Sequence, residues 1–304
     1  SRIRQRIRGR AMTVPPKSQQ EFYDTLMESQ WWLEDRIRDY QRLHIEQLLR
    51  HAAANTTFYE DRLGTLFGRG GEIDWSRWLD VPTVRRQDLV SRRIAMHARV
   101  LPKGHAPLGV EMSSGSTGIA ISVTTSALAN KANNAARWRA HRRFDVDWSK
   151  SLCSRQETVE SKAPWPDGRR VGAFGPPWIV GATGTAWVIY KGTSAKKTFE
   201  FIVRNDCAYL AVGAKTAHAL ALEAERLGSA PHIRAVLAQG EGCDDEDREA
   251  CERVFGARVM EHYSSKEMGQ AAQPWERGVW HCNEELVLLE ILDNNGQPCP
   301  PGVT

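Results

Sequence analysis

Apolar residues at 43, 45, 48 and 49 stand against charged neighbours across 41–50, a helical period, and most of 18–66 reads as helix. Asn55-Thr56-Thr57 is a capping-type sequence that starts a second helix, and 81–90 predicts a turn followed by a short helix. From about Pro107 the texture changes. A Ser/Gly/Thr run at 113–118 precedes a strand over 119–125 and a helix over about 126–143. The stretch 154–184, dense in Pro, Gly and Trp, shows no clean period. The last third is the clearest: apolar runs at 208–212, 233–238 and 258–261 read as strands. One helix between them ends near Gly228; the next opens on Asp244 and Asp245 and stops at Gly256, acid first and glycine last. Strands alternating with helices predict a parallel sheet, whose ligands sit beyond the carboxyl ends of its strands. Residues 240–241 and 263–267 fall at such ends. The predicted class is α/β, with mixed or parallel sheets flanked by helices and a helical N-terminal segment. Three regions follow: a basic, disordered tail at 1–17, a helical segment at 18–106 that packs on the main domain, and an α/β domain at 107–304.

Composition adds limits rather than identity. At 304 residues the chain can bury one large core or two moderate ones without disulfides or metals. The 41 basic and 37 acidic residues leave +4, too slight to name a partner. Arg2, Arg4, Arg6, Arg8 and Arg10 alternate through the start, read as a disordered basic tail rather than a nucleic-acid arm. No apolar run reaches membrane-spanning length, so no membrane partner is expected. The six cysteines lack paired spacing, as reduced thiols in a cytoplasm do. A zinc site from Cys243, Cys251, His262, His281 and Cys282 is disfavoured, because no Cys-x-x-Cys pair exists and His281 adjoins Cys282.

Three motifs carry candidate chemistry. In Ser113-Ser114-Gly115-Ser116-Thr117-Gly118, small residues let backbone N–H groups converge while hydroxyls add donors, a nest for phosphate oxygens. It is not a Walker A loop, since no Gly-Lys-Ser/Thr closes it; a plain Ser/Gly loop is the alternative. Gly240-Glu241-Gly-Cys-Asp-Asp245 lies between a strand and a helix, with Glu261 twenty-one residues after Gly240. A dinucleotide fingerprint is disfavoured there, because Asp245 replaces the third glycine and Glu241 brings a carboxylate towards pyrophosphate. In His262-Tyr263-Ser264-Ser265-Lys266-Glu267, the tyrosine can stack on a base and Glu267 can hold Mg²⁺ through oxygen. A surface turn opening a helix is the alternative.

Together the motifs resemble the adenylate-forming superfamily. The run at 113–118 resembles its phosphate loop, Gln239-Gly-Glu-Gly its adenine-contacting Gly-Ala-Glu segment, and Tyr263-Ser-Ser-Lys-Glu its Tyr-Gly-x-Thr-Glu motif. Leu48-Leu-Arg-His-Ala-Ala-Ala-Asn-Thr-Thr-Phe-Tyr59 and Val81-Pro-Thr-Val-Arg-Arg-Gln-Asp-Leu89 are similar to segments of its phenylacetate–CoA ligase-like branch. The resemblance runs from about Gln30 to the end and implies the large N-terminal domain of such an enzyme. There are departures. Ile119 and Ala120 replace a Lys/Pro-containing loop close, and Lys266 stands where the family often has Thr. The family's ribose-binding Asp, hinge and C-terminal lid with the catalytic Lys are expected beyond Thr304, so this chain alone is expected to be inactive or weak. Asp293 is not given the ribose role, because Asn294-Asn-Gly296 beside it signals a hairpin turn.

The resemblance implies ATP-dependent adenylation of a small carboxylic acid, aryl or arylacetic, followed by thioester formation with coenzyme A. Residues 113–118 would hold phosphates, with Thr117 and Glu267 catalytic and Glu267 the Mg²⁺ ligand. Gly240, Glu241, His262, Tyr263, Ser264 and Ser265 would complete the ATP site. Phe174, Trp178, Gly181 and Ala238 would line the acid pocket; a plain core loop is the other reading of 172–181. Transfer to an amine or carrier protein, and a degenerate ligase fold that only binds, are the alternatives. A homodimer is compatible with all three.

Overall fold

The computed structural model describes residues 16, 18–112, 121–156, 168–276, 279–300 and 302, which divide into two units. The first holds the described residues up to Ala136, with Lys266–Gly269 and those from Cys282 onward; the second holds Arg137–Ser265 and Gln270–His281. The phosphate-loop candidates Ser113, Ser114, Gly115, Ser116, Thr117 and Gly118 lie outside the described residues.

Helix α1 (Gln19–Ser29) opens the first unit, where the Ser18 hydroxyl accepts the Glu21 N–H at 3.1 Å. Helix α2 (Glu34–Asn55) and helix α3 (Thr57–Leu63) are separated by Thr56, held extended at φ −130° and ψ 111°, so the capping sequence does start a new helix. Leu49 is buried with Leu63 and Leu66, and Ile45, Ala52, Phe67, Trp75 and Trp78 pack around them. The apolar stripe is narrower than the sequence suggests. Leu43 and Leu48 are exposed, because Leu43 sits about 160° round the helix from Ile45 at 100° per residue and Leu48 falls on the stripe's margin. Helix α4 (Arg86–Ser91) follows, its Asp88 carboxylate accepting the Arg85 N–H at 2.9 Å. The residues after Asn283 join the same unit: Gln41 Nε2 donates to the carbonyls of Glu284 and Val287, and Trp78 Nε1 donates to Glu290 at 2.8 Å. Their last turn is the one the sequence signals. Asp293 accepts the Asn295 and Gln297 N–H groups, and Leu292 bridges Pro298. Strands β1 (Leu108–Met112) and β2 (Ser122–Ser126) pair antiparallel with Met112 opposite Ser122, and helix α5 (Ala127–Arg143) follows.

The second unit is built on six strands in the order β4-β5-β3-β6-β7-β8. These are β3 (Ser151–Gln156), β4 (Arg169–Phe174), β5 (Gly184–Tyr190), β6 (Cys207–Val212), β7 (Ala235–Ala238) and β8 (Arg258–Met260). All neighbours are parallel except β4 on β5. Parallel strands need covering on both faces, hence the near-continuous apolar runs of β6 and β7. Helices α6 (Ala195–Arg204), α7 (Ala214–Leu227) and α8 (Asp245–Phe255) cover one face through Phe201, Leu220, Ala221 and Phe255. Tyr209, Leu237 and Met260 point to the other, where Ala140 from the end of α5 and Phe174 meet them. Helices α7 and α8 end at Gly228 and Gly256, with φ of 62° and 65°, the left-handed region a side chain disfavours. Gly184 is required for a different reason: a Cβ there would lie 1.9 Å from the Lys150 carbonyl oxygen. Strands β9 (Tyr263–Ser265), β10 (Gly269–Glu276) and β11 (Val279–Cys282) form a separate sheet in the order β11-β10-β9.

Candidate functional site

In the second unit the strand-end motifs occupy the positions the alternation predicts. Beyond β7 the Gln239 N–H donates to the Val212 carbonyl at 3.1 Å, and Gly240 turns the chain with φ 80°. The Glu241 carboxylate accepts the Lys215 N–H at 2.9 Å, so it caps the start of α7. The close approach explains Gly213, where a Cβ would meet the Glu241 carboxylate at 2.1 Å. Behind this turn Asp247, fully buried, accepts from His218 Nδ1 at 2.9 Å and from the Lys215 ammonium at 2.8 Å. Asp244 and Asp247 each accept the other's N–H, a reciprocal cap that begins α8. Glu261 is nearly buried and paired with Arg248, so a ribose-binding role of the dinucleotide type finds no free carboxylate there.

Past β8, His262 is packed inward. Burial and then the Arg137 charge push its imidazole down to about 4, so the ring is neutral at pH 7, and its Nδ1 is buried without a partner. Its neighbour His141 is pushed down to about 3, chiefly by burial, and accepts from Trp148 Nε1 at 3.4 Å. Tyr263, the first residue of β9, is 56% exposed, which leaves a ring face open for stacking. Ser264 is exposed and Ser265 half-buried.

Of the residues expected at the acid pocket, Phe174 is buried, its ring 5.8 Å from His141 and 5.5 Å from Tyr209. Trp138 and Trp148 stand edge-on in the same cluster, 6.1 Å apart. Trp178 is half-buried and Gly181 exposed, with φ 125°. Ala238 is buried in the layer beneath α7 and α8, on the opposite face from Phe174.

In the first unit, Glu267 sits exposed in a turn, its carboxylate without a protein partner among the described residues. Beside it the Lys266 ammonium lies 2.5 Å from the Glu111 carboxylate. Glu111 belongs to β1, the strand leading into residue 113. Reading by motif misses Glu111, the capping role of Glu241 and the His262–His141 pair; only the position of Glu111 just ahead of the Ser/Gly run hints at the first. Among the described residues no group of three or more His, Cys, Asp or Glu is placed to hold a metal, and no helix is long and apolar enough to cross a membrane.

No protein-family model matches the sequence, and comparison with curated proteins gives no match. Solved structures do match. 2-Hydroxyisobutyryl-CoA ligase in complex with 2-HIB-AMP and CoA superposes with a TM-score of 0.67 at 17% identity, over 90% of this chain and 59% of that one. The chain shares that ligase's fold. The same ligase in the postadenylation state gives 0.63 at 14% identity, over 97% of this chain and 63% of the other. The chain thus spans about three fifths of the ligase's length, 59% in the first comparison. The architecture expected from the motifs, a parallel-dominated sheet flanked by helices as in the N-terminal domain of adenylate-forming enzymes, is the one observed.

Proposed function

We propose that this chain is the nucleotide- and acid-binding body of an ATP-dependent ligase that joins a carboxylic acid to AMP. One observation carries the reading: the Lys266–Glu111 pair fastens the turn bearing Glu267 to the strand that leads into the hydroxyl-rich run at 113–118. The shared fold supports it, since the matched ligase is one whose complexes contain an acyl-AMP and CoA.

In this reading residues 113–118 hold the β- and γ-phosphates, and Thr117 is catalytic. Tyr263 stacks on adenine, Gly240 and Glu241 border it, and Ser264 and Ser265 add hydroxyl donors. His262, buried and neutral, adds no charge to the site. The substrate carboxylate oxygen attacks the α-phosphorus; the bond to the bridging oxygen breaks and its electron pair leaves with pyrophosphate. Catalysis rests on positioning and on donors fixed before charge develops. Glu267 suits Mg²⁺, which commonly takes one or two protein carboxylates and fills its shell with phosphate oxygens and water. Bound there it would supply charge neutralisation at the phosphates. The acid is aryl or arylacetic, as in the phenylacetate–CoA ligase-like branch, with Phe174, Trp178 and Gly181 at its pocket; Ala238, expected there from the sequence, is buried on the opposite face of the sheet and drops out of it. The acceptor is the thiol of coenzyme A, which displaces AMP to form the thioester.

The test is ATP–pyrophosphate exchange by the full-length protein against a panel of aryl and arylacetic acids. Acid-dependent exchange is expected, followed by coenzyme A consumption. ATP binding without exchange for any acid refutes the ligase reading. Exchange with product formed only on an amine or a carrier protein keeps adenylation and replaces the acceptor.

A further inference from the structure

A cleft lies on the α6/α7 face of the large sheet, and none of the candidate adenylation residues lines it. Its volume is about 460 Å³, and Arg155, Ala195, Lys215, Thr216, Leu220 and Glu223 line it. Topology explains its place. The chain goes from β3 to β5 on one side, then crosses through α6 to β6 on the other side of β3. Where strand order reverses in this way, a crevice opens beyond the strands' carboxyl ends.

The charges in the lining are unequal in one respect. Glu223 is held at both oxygens by Arg226, at 2.8 and 2.6 Å. The Lys215 ammonium is shared between Asp244 and Asp247. Arg155 has no carboxylate partner among the described residues. Its Nη2 donates to the carbonyls of Lys191 and Thr193, at 2.5 and 2.6 Å, and its Nε is buried without an acceptor. Burial pulls its pKa below the usual arginine value, as expected for a guanidinium that has lost water without gaining a counter-ion. Two helices begin at the same place. The N–H groups of Ala195 in α6 and Thr216 in α7 find no acceptor among the described residues. The dipole of α6 adds to the Arg155 charge, whereas that of α7 is already offset by the Glu241 carboxylate; exposed Lys196 and Lys197 follow in the first turn of α6. The floor, by contrast, is apolar: Ala195, Ala219 and Leu220.

We propose that this cleft binds a phosphorylated small molecule, its phosphate on Arg155 and the first turn of α6, its organic part over Leu220. Calorimetric titration of the chain with inorganic phosphate and with phenyl phosphate tests this and separates free phosphate from a phosphate ester as the ligand source. Phenyl phosphate binds more tightly if the apolar floor is used; equal affinity assigns the site to free phosphate. Arg155→Gln is expected to weaken both roughly 10- to 100-fold, the range for loss of a charge-assisted hydrogen bond. Arg155 also holds the turn after β5, so a second variant is needed that leaves it intact. Thr216→Phe, at an exposed position, fills the cleft mouth and is expected to abolish binding with an unchanged melting temperature. Full affinity in Thr216→Phe, or no saturable binding of either probe by the wild-type chain, overturns the proposal.

Discussion

Replacing Asp247 by alanine removes the carboxylate that fastens α7 to α8 directly behind the Gly240 turn. Asp247 is buried and accepts three hydrogen bonds, from His218 Nδ1 at 2.9 Å, the Lys215 ammonium at 2.8 Å and the Asp244 N–H at 3.1 Å. Alanine leaves the Asp244 N–H and the half-buried His218 without this partner, while Lys215, largely exposed, keeps Asp244. Breaking a fully buried pair costs about 3–5 kcal/mol; because Lys215 retains a partner in water, about 2–4 kcal/mol is expected. Asp247→Asn keeps the shape but offers a donor where an acceptor is needed, and should fall between. Urea unfolding at pH 7 measures this as a lower midpoint with unchanged slope. The pH dependence gives an independent check. Burial acts to raise the Asp247 pKa, but the hydrogen bonds from Lys215, His218 and Asp244 outweigh it and hold the group below the usual carboxylate value. Stability from a group so depressed is fully present above its unfolded pKa, about 3.9, and is lost as pH falls through the folded value. The gap between wild type and Asp247→Asn should therefore narrow below about pH 4. A loss under about 0.5 kcal/mol, the usual range for plain surface changes, or a gap that persists undiminished in acid, refutes the reasoning.

Three further outcomes are expected. Tyr263→Ala should weaken nucleotide binding roughly 10- to 100-fold, the equivalent of about 1–3 kcal/mol for one stacked base, while Tyr263→Phe stays near wild type; equal affinity for Ala in calorimetry removes Tyr263 from the site. Lys266→Ala and Glu111→Gln should each cost under about 1 kcal/mol of stability, since the pair is half exposed. If the pair positions the Glu267 turn, both should slow pyrophosphate exchange and the double variant should be no slower than the worse single; additive losses show that the two residues act separately. Gly184→Ala places a Cβ 1.9 Å from one backbone atom and 2.2 Å from another, both of Lys150, so β3 and β5 must part. A loss above about 3 kcal/mol, or insoluble protein, is expected; a wild-type melting temperature refutes the close approach.

What the sequence carries and what it withholds follow from the range of the forces involved. Caps and chain reversals are local, so Thr56, Asp244, Gly228, Gly256 and the Asp293 turn are readable from a few neighbours each. Strands β6 and β7 are readable because burial on both faces leaves uninterrupted apolar runs. Strand β4 is not, since an edge strand with exposed Arg169 and Arg170 has neither that run nor a clean alternation. Order and register are hidden for the same reason as the Lys266–Glu111 pair: the partners are 155 residues apart, and only the fold decides that they meet. Glu241 shows where this matters for chemistry. Reading by motif sets its carboxylate beside the nucleotide, whereas 26 residues back along the chain it caps the N-terminus of α7. The helix N-terminus offsets the carboxylate charge, so the repulsion that a free Glu241 would exert on a nearby phosphate is reduced. In the proposed ligase the residue would border the adenine through the backbone beside Gly240, its side chain fixing that backbone in place.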